Sequence, residues 1–260
     1  MGRGAKNLGE PMRLSVLQSA SPAGDIDAAC TSLEAALHAA AAAGADVLVA
    51  PEVFLPGYNR PEIVGLTPDA PALARLSAAA KLAKTALVFG YAEAAGGRIY
   101  NSALGFGPDG QTLAQYRKIQ LYGPREKAIY FPGDAFVTFH LAGRKMALLI
   151  CYDIESAPHV AALAAMGVEA ILVPTANMAP FTHVIRHTVP AMAANHGLAI
   201  AYANYCGAEG DLTYVGGSLI AGPQGEVLAQ AGEFPALLIA DVPSVDPARV
   251  STQSLDFRKI

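Results

Sequence analysis

Apolar positions along the chain switch repeatedly between a strand-like and a helix-like spacing. Arg13 to Gln18 is a short apolar run of strand length, and Asp27 to Ala43 is an alanine-rich segment with helical spacing that stops at Gly44. Val47 to Ala50 predicts a buried strand ended by Pro51. Pro71 to Lys84 predicts a helix and Ala86 to Ala92 a strand. Tyr100 to Tyr116 predicts a hairpin turning at Pro108-Asp109-Gly110. After a long loop the order recurs. Lys145 to Cys151 is strand-like, His159 to Met166 helical, Ala170 to Val173 strand-like and Thr188 to His196 helical. Ala199 to Ala203 predicts a strand and Tyr214 to Gln230 a second hairpin.

The two halves also share letters. AAAGADVLVAP, ending at Pro51, resembles AAMGVEAILVP, ending at Pro174. GPDGQTLAQ from Gly107 matches GPQGEVLAQ from Gly222 at six of nine positions, and YAE at Tyr91 pairs with YAN at Tyr202. Alanine matches are cheap in so alanine-rich a chain, but the proline stops and GP-x-G turns point to an internal duplication. Two halves of this kind predict an α/β fold in which two mixed β-sheets pack face to face with helices outside, a four-layer αββα sandwich. A single doubly wound sheet is the rival, and the two hairpins count against it because that sheet needs crossovers there.

With 260 residues, 53% hydrophobic and 15% charged, the chain suits one large domain over residues 12–260, preceded by a flexible tail over residues 1–11. A net charge of -4 without a Lys/Arg cluster gives no basis for nucleic-acid binding, and no apolar run is long enough for a membrane span. Three cysteines do not make a disulfide framework, which places the protein in a reducing, cytoplasmic setting. The tail carries charge but no apolar core of a signal peptide.

Candidate chemistry sits where strands end. Cys151 closes the run MALLI and opens CYDIES. A thiol at a strand-to-helix turn feels the positive end of the following helix, which lowers its pKa. Standing alone, a cysteine reads more cheaply as a small buried hydrophobe, as Cys30 in its helix and Cys206 in its loop do. The polar residues directly after Cys151 change those odds. Glu52 follows VLVA and Pro51 among apolar neighbours, where desolvation would raise its pKa into the range of a general base, although a surface carboxylate is the equal alternative. Lys118 could hold an oxyanion, with Glu126 eight residues on orienting it. Taken singly, Arg117, Lys118, Arg125, Glu126 and Lys127 read as a solvated charge cluster. None of the six histidines lies in a metal-ligand spacing; His183 and His187 are best placed in a loop or at a helix start.

APEVFLPGY, YRKIQLYG-PREK and LLICYDIE resemble, in order and spacing, the three signatures of the nitrilase superfamily of carbon–nitrogen hydrolases, over Met12 to about Pro243. The resemblance implies the αββα sandwich and a Glu-Lys-Cys triad falling on Glu52, Lys118 and Cys151, with a further essential glutamate at Glu126. It implies no cofactor and no metal, and a homodimer or higher homo-oligomer. LYGPREKAIYFPGD, ILVPTANMAP and AYANYCGAEG are most similar to the 5-aminopentanamidase-like aliphatic amidases, a branch that includes stereoselective amidases. The implied reaction is hydrolysis of a small aliphatic or amino-acid-like primary amide of about five carbons through a cysteine thioester; action on a nitrile, or a non-catalytic scaffold, is the alternative. Tyr58, Tyr122, Asn177 and Asn204 are candidates for lining the pocket, with Tyr152 offering its backbone N–H to the oxyanion. Asp153, Glu155 and Glu209 are candidates to face a substrate ammonium. Where such sequences continue CYDIE with an aromatic, a proline and a glutamate, this one reads Ser156-Ala157-Pro158-His159.

Overall fold

The computed structural model describes residues 11–256 and residue 258, so the expected tail, but for the exposed Pro11, falls outside the described residues. Two mixed sheets of six strands pack face to face. The first is built from β1 (Met12–Gln18), β2 (Val47–Val49), β3 (Ala86–Ala95), β4 (Arg98–Phe106) and β5 (Thr112–Arg117), with helices α1 (Ile26–Ala42) and α2 (Pro71–Ala83) as the crossovers. A seven-residue helix α3 (Gly123–Ile129) leads to the second half. There β6 (Thr138–Leu141), β7 (Arg144–Leu148), α4 (Ala157–Ala165), β8 (Ala170–Pro174), α5 (Val189–His196) and β9 (Ala199–Ala203) follow in order. A separate two-stranded ribbon, β10 (Cys206–Glu209) and β11 (Leu212–Val215), precedes β12 (Leu219–Ala221) and β13 (Val227–Gln230). The strand β14 (Ala236–Val242) then returns to pair with β1 in the first sheet.

Alternation along the strands sorts the core into layers. Val47 and Val49 of β2 and Ala86 and Val88 of β3 point at the second sheet, where Leu148 and Leu172 meet them. Their neighbours Leu48, Leu87 and Phe89 point outward onto Leu33 and Leu37 of α1 and Leu73 and Leu76 of α2. Helix α1 starts where the Asp25 side chain accepts the Ala28 N–H, and buries one stripe, Ala29, Leu33, Leu37 and Ala40.

The halves repeat each other in pairing as well as in letters. In the first sheet the order β1, β2, β3, β4, β5 pairs parallel, parallel, antiparallel, antiparallel. The order β7, β8, β9, β12, β13 does the same in the second. Leu14, Val47 and Ala86 stand in one row of the first ladder, and Met146, Ala170 and Ala199 in the matching row of the second. The two GP-x-G turns close with the same bonds, Gly107 N–H to Gln111 O and Gly110 N–H to Gly107 O, then Gly222 N–H to Glu226 O and Gly225 N–H to Gly222 O. YAE and YAN do not correspond in this frame: the ladder row that holds Tyr202 matches Phe89, two residues before Tyr91.

Three expected boundaries move. The strand taken to reach Cys151 ends at Leu148, and Cys151 begins a 3-10 turn. The hairpin expected over Tyr214 to Gln230 is β12–β13 alone, because Tyr214 pairs with Gly207 in the separate ribbon. That ribbon also takes Cys206 out of the loop assigned to it and buries it. Among the described residues no helix is long and apolar enough to cross a membrane.

Candidate active site

The carboxyl ends of β2, β5 and β7 bring three side chains to one place. After β2, Pro51 turns the chain and Glu52 folds back over β3. Gly90 makes room for it: a Cβ there would lie 2.3 Å from the Val53 nitrogen and 2.5 Å from the Glu52 Cα. Gly90 N–H donates to Pro51 O, and the buried Tyr205 hydroxyl donates to Glu52 O at 2.9 Å. The Glu52 carboxylate is wholly buried. Its Oε1 accepts from Lys118 Nζ at 2.6 Å and from Asn101 Nδ2 at 2.6 Å, while Oε2 has no hydrogen-bond partner among the described residues. Burial pushes its pKa up to about 7, against the pull of Lys118.

Lys118 stands one residue past β5, its N–H bonded to Asn101 O and its carbonyl to the Gly133 N–H. Its side chain is fully buried, and Nζ bridges Glu52 and Glu126, reaching Glu126 Oε1 at 2.8 Å. Burial alone would favour the neutral amine, but the two carboxylates outweigh it and hold the ammonium charged. Glu126, in the first turn of α3, is also buried. Tyr58 donates its hydroxyl to Oε1 at 2.7 Å and Tyr122 its backbone N–H to Oε2 at 2.7 Å. Of the five residues that could form a solvated cluster, then, Lys118 and Glu126 are interior. Arg117 pairs with Glu93, Arg125 donates to the carbonyls of Tyr58 and Arg60, and Lys127 alone is exposed.

Cys151 takes a positive φ of 46°, a conformation that a non-glycine residue holds only under constraint. The constraint is local. Asp153, two residues on and fully buried, accepts the Ile150 N–H at 3.0 Å while its own N–H returns to Ile150 O. The Ala176 N–H faces the sulfur, and the Thr175 hydroxyl adjoins both the thiol and Tyr202 without completing a hydrogen bond to either. The expected lowering of the thiol pKa is reversed: burial and the nearby Glu52 carboxylate push it up, so the resting group is a thiol rather than a thiolate.

The sulfur opens into a cavity of about 250 Å³ lined by Tyr58, Tyr122, Tyr152, Glu155, Ala176, Asn177, Met178, Phe181 and His183. Tyr58, Tyr122, Tyr152 and Asn177 are where the sequence put them. Asn204 is not. It is buried behind the wall, where its Oδ1 accepts the Asn177 N–H and its Nδ2 donates to Asn177 O and Gly216 O, fixing the loop that carries Asn177. Of the three carboxylates expected to face a substrate ammonium, only Glu155 reaches the cavity. Asp153 accepts from the Tyr116 hydroxyl and the Gln120 and Ile150 N–H groups, and Glu209 from the Asn59 N–H and the Tyr214 hydroxyl. Met178, Phe181 and His183 were not anticipated; His183 stands at the exposed rim, just ahead of a π-helical turn over Val184–Thr188. Thr175 was missed although a signal existed, since it follows Pro174 as Glu52 follows Pro51. Among the described residues no group of three or more His, Cys, Asp or Glu side chains could hold a metal ion.

The chain belongs to the carbon–nitrogen hydrolase family, whose model matches residues 13–250. It is an amidohydrolase of the nitrilase superfamily, working through a cysteine. It is 34% identical to an (R)-stereoselective amidase of Pseudomonas sp. over 95% of this chain and 90% of that one. The crystal structure of an amidase from Nesterenkonia sp. superposes with a TM-score of 0.85 at 34% identity, covering 97% of this chain and 98% of that one. A variant of that enzyme, with acrylamide added to its active-site cysteine, matches at a TM-score of 0.82 and 34% identity over 89% and 93% of the two chains.

Proposed function

We propose that Cys151 is the nucleophile, Glu52 the proton carrier, Lys118 the oxyanion cation and Glu126 its orienting partner, in hydrolysis of a small linear primary amide. The observation that carries this is the free Glu52 Oε2, a buried carboxylate oxygen without a hydrogen-bond partner among the described residues, while Lys118 and Asn101 hold Oε1 in place. Because the resting sulfur is a thiol, its proton must leave as the S–C bond forms. Glu52 Oε2 takes it while Sγ attacks the amide carbon. The carbonyl electrons move onto oxygen, where the Lys118 ammonium and the Tyr152 N–H hold them. Glu52 then returns its proton to the nitrogen, the C–N bond breaks and ammonia leaves a thioester. Water attacks that carbon as Glu52 takes a water proton. The second tetrahedral intermediate collapses to the carboxylic acid, and the proton goes back to sulfur.

The cavity volume falls below the roughly 300–1,000 Å³ of sites for drug-sized ligands, which supports an acyl chain of about five carbons. Glu155 is the sole carboxylate among the described lining residues, which include no Lys or Arg, and this favours a chain bearing an ammonium such as 5-aminopentanamide. Acrylamide on the relative's cysteine supports a short aliphatic amide. Three free cysteines fit a reducing cytoplasm, and the family resemblance a homodimer or larger homo-oligomer. The test is ammonia release from 5-aminopentanamide, pentanamide, benzamide and pentanenitrile under one buffer condition. A higher kcat/KM for the nitrile or for benzamide than for both aliphatic amides would overturn the substrate assignment.

A further inference from the structure

Asp153 belongs to the Cys151 turn, yet two of its three partners lie on the segment that carries Lys118. Its Oδ1 accepts the Gln120 N–H at 2.7 Å and its Oδ2 accepts the Tyr116 hydroxyl at 2.8 Å, alongside the Ile150 N–H at 3.0 Å. Tyr116 and Gln120 flank Lys118, two residues to either side. One carboxylate therefore ties the residue before the nucleophile to both flanks of the lysine, across the join between the two sheets. Tyr116, Lys118, Ile150 and Asp153 are fully buried, while Gln120 is an exposed residue whose backbone N–H turns inward to the carboxylate. A buried carboxylate is costly unless its lone pairs are taken, and here three donors take them. The strained backbone of Cys151 lies inside the loop these bonds close, so the bonds supply what holds a non-glycine residue at positive φ.

We infer that Asp153 is a positioning residue, setting the Cys151 sulfur against the Lys118 ammonium by fastening the nucleophile turn to both flanks of the lysine. This rests on the roles proposed above for Cys151 and Lys118. Asp153 touches no reacting atom; it acts through the two residues that do. An asparagine at this place has one acceptor oxygen instead of two, so a donor must lose its bond and the turn is free to shift. Displacement of a reacting pair by about 1 Å costs roughly a hundredfold in rate, and such a loss falls on kcat while substrate still enters the cavity.

The experiment compares the parent with Asp153→Asn, Tyr116→Phe and the double variant. It records kcat and KM for one aliphatic amide, the melting temperature, and the fraction of protein whose thiol takes up iodoacetamide to completion. Expressed per reactive thiol, kcat of Asp153→Asn should fall about a hundredfold with KM within threefold of the parent. Tyr116→Phe, which removes one of the three donors, should lose about tenfold, and the double variant should be no slower than Asp153→Asn, because both act through one tie. A lowered melting temperature with kcat per thiol unchanged would overturn the inference and leave Asp153 merely structural. So would a raised KM at unchanged kcat. If Asp153→Asn does not fold, Tyr116→Phe decides: unchanged kcat in a folded protein overturns the tie. Activity surviving in Cys151→Ala would instead sink the proposed nucleophile, whatever Asp153 does.

Discussion

Gly90→Ala places one methyl group against the turn that carries Glu52. A Cβ built on Gly90 meets the Val53 nitrogen at 2.3 Å and the Glu52 Cα and carbonyl carbon at 2.5 and 2.6 Å, all backbone atoms that cannot rotate away. Ordinary contact begins at 3.4 Å, so the Glu52 turn or strand β3 must give by about 1 Å. Gly90 has no positive φ, and the effect is therefore purely steric. Forcing a methyl into such a contact costs about 1–3 kcal/mol, which a domain with a stability of about 5–15 kcal/mol survives. The catalytic cost is larger in proportion. Glu52 Oε2 must meet a thiol proton within a few tenths of an ångström, and a shift of about 1 Å is worth roughly a hundredfold in rate. We expect Gly90→Ala to keep its circular-dichroism spectrum, to melt a few degrees lower and to lose about two orders of magnitude in kcat/KM for an aliphatic amide. Iodoacetamide should still reach Cys151, since the cavity side of the thiol is untouched. A folded Gly90→Ala protein with kcat/KM within threefold of the parent would refute the claim that this contact places the base.

Three further outcomes follow from the same geometry. Cys151→Ala should abolish ammonia release while the circular-dichroism spectrum stays, because only the sulfur is lost; activity within tenfold of the parent would unseat the nucleophile. Glu126→Gln keeps the shape but removes a charge from Lys118 and Tyr58, and kcat should fall roughly a hundredfold with substrate still bound; an unchanged kcat would make Glu126 a bystander. The pH dependence of kcat/KM should show an acid limb near pH 7. The Glu52 pKa is raised, so the carboxylate ionises only as pH climbs through about 7, and below that it already holds the proton it must accept. A flat profile from pH 5 to 8 would remove Glu52 as the base.

The layers of the fold were legible because apolar spacing reports burial directly. Val47 to Ala50 and Ala170 to Val173 have to be interior strands, and Asp27 to Ala43 a one-sided helix. Helix α3 was not legible: seven residues with Pro124 at its start and three charges look like a loop. Nor was the pairing of β14 with β1, a contact between the two ends of the chain that no local pattern announces. In the site, the places of Glu52, Lys118 and Cys151 beyond strand ends were readable from the sequence. Partners were not. Asp153, Glu155 and Glu209 carry the same charge, yet two of them are spent on N–H and hydroxyl donors and one faces the cavity. The expected low thiol pKa failed for a related reason: the helix-end effect is small beside desolvation next to a carboxylate.

The internal repeat explains why the chemistry is divided as it is. Five residues beyond Leu14, Val47 and Ala86 stand Ser19, Glu52 and Tyr91; five beyond Met146, Ala170 and Ala199 stand Cys151, Thr175 and Asn204. Equivalent places at the carboxyl ends of the two sheets therefore hold different groups. Glu52 and Thr175 occupy one such pair and meet, the Glu52 N–H reaching Thr175 O at 3.3 Å. A carboxylate in both would put two like charges into one dry pocket already containing Glu126, and Lys118 could not neutralise all three. Thr175 answers with a neutral hydroxyl beside the thiol. Ser19 and Cys151 form the second pair. Ser19 is half-buried just past β1 with its hydroxyl on the Ala20 carbonyl, while Cys151 is held at positive φ beside the cavity. One copy of the fold thus supplies Glu52 and Lys118, the other Cys151 and Thr175. Only their packing against each other brings these side chains together.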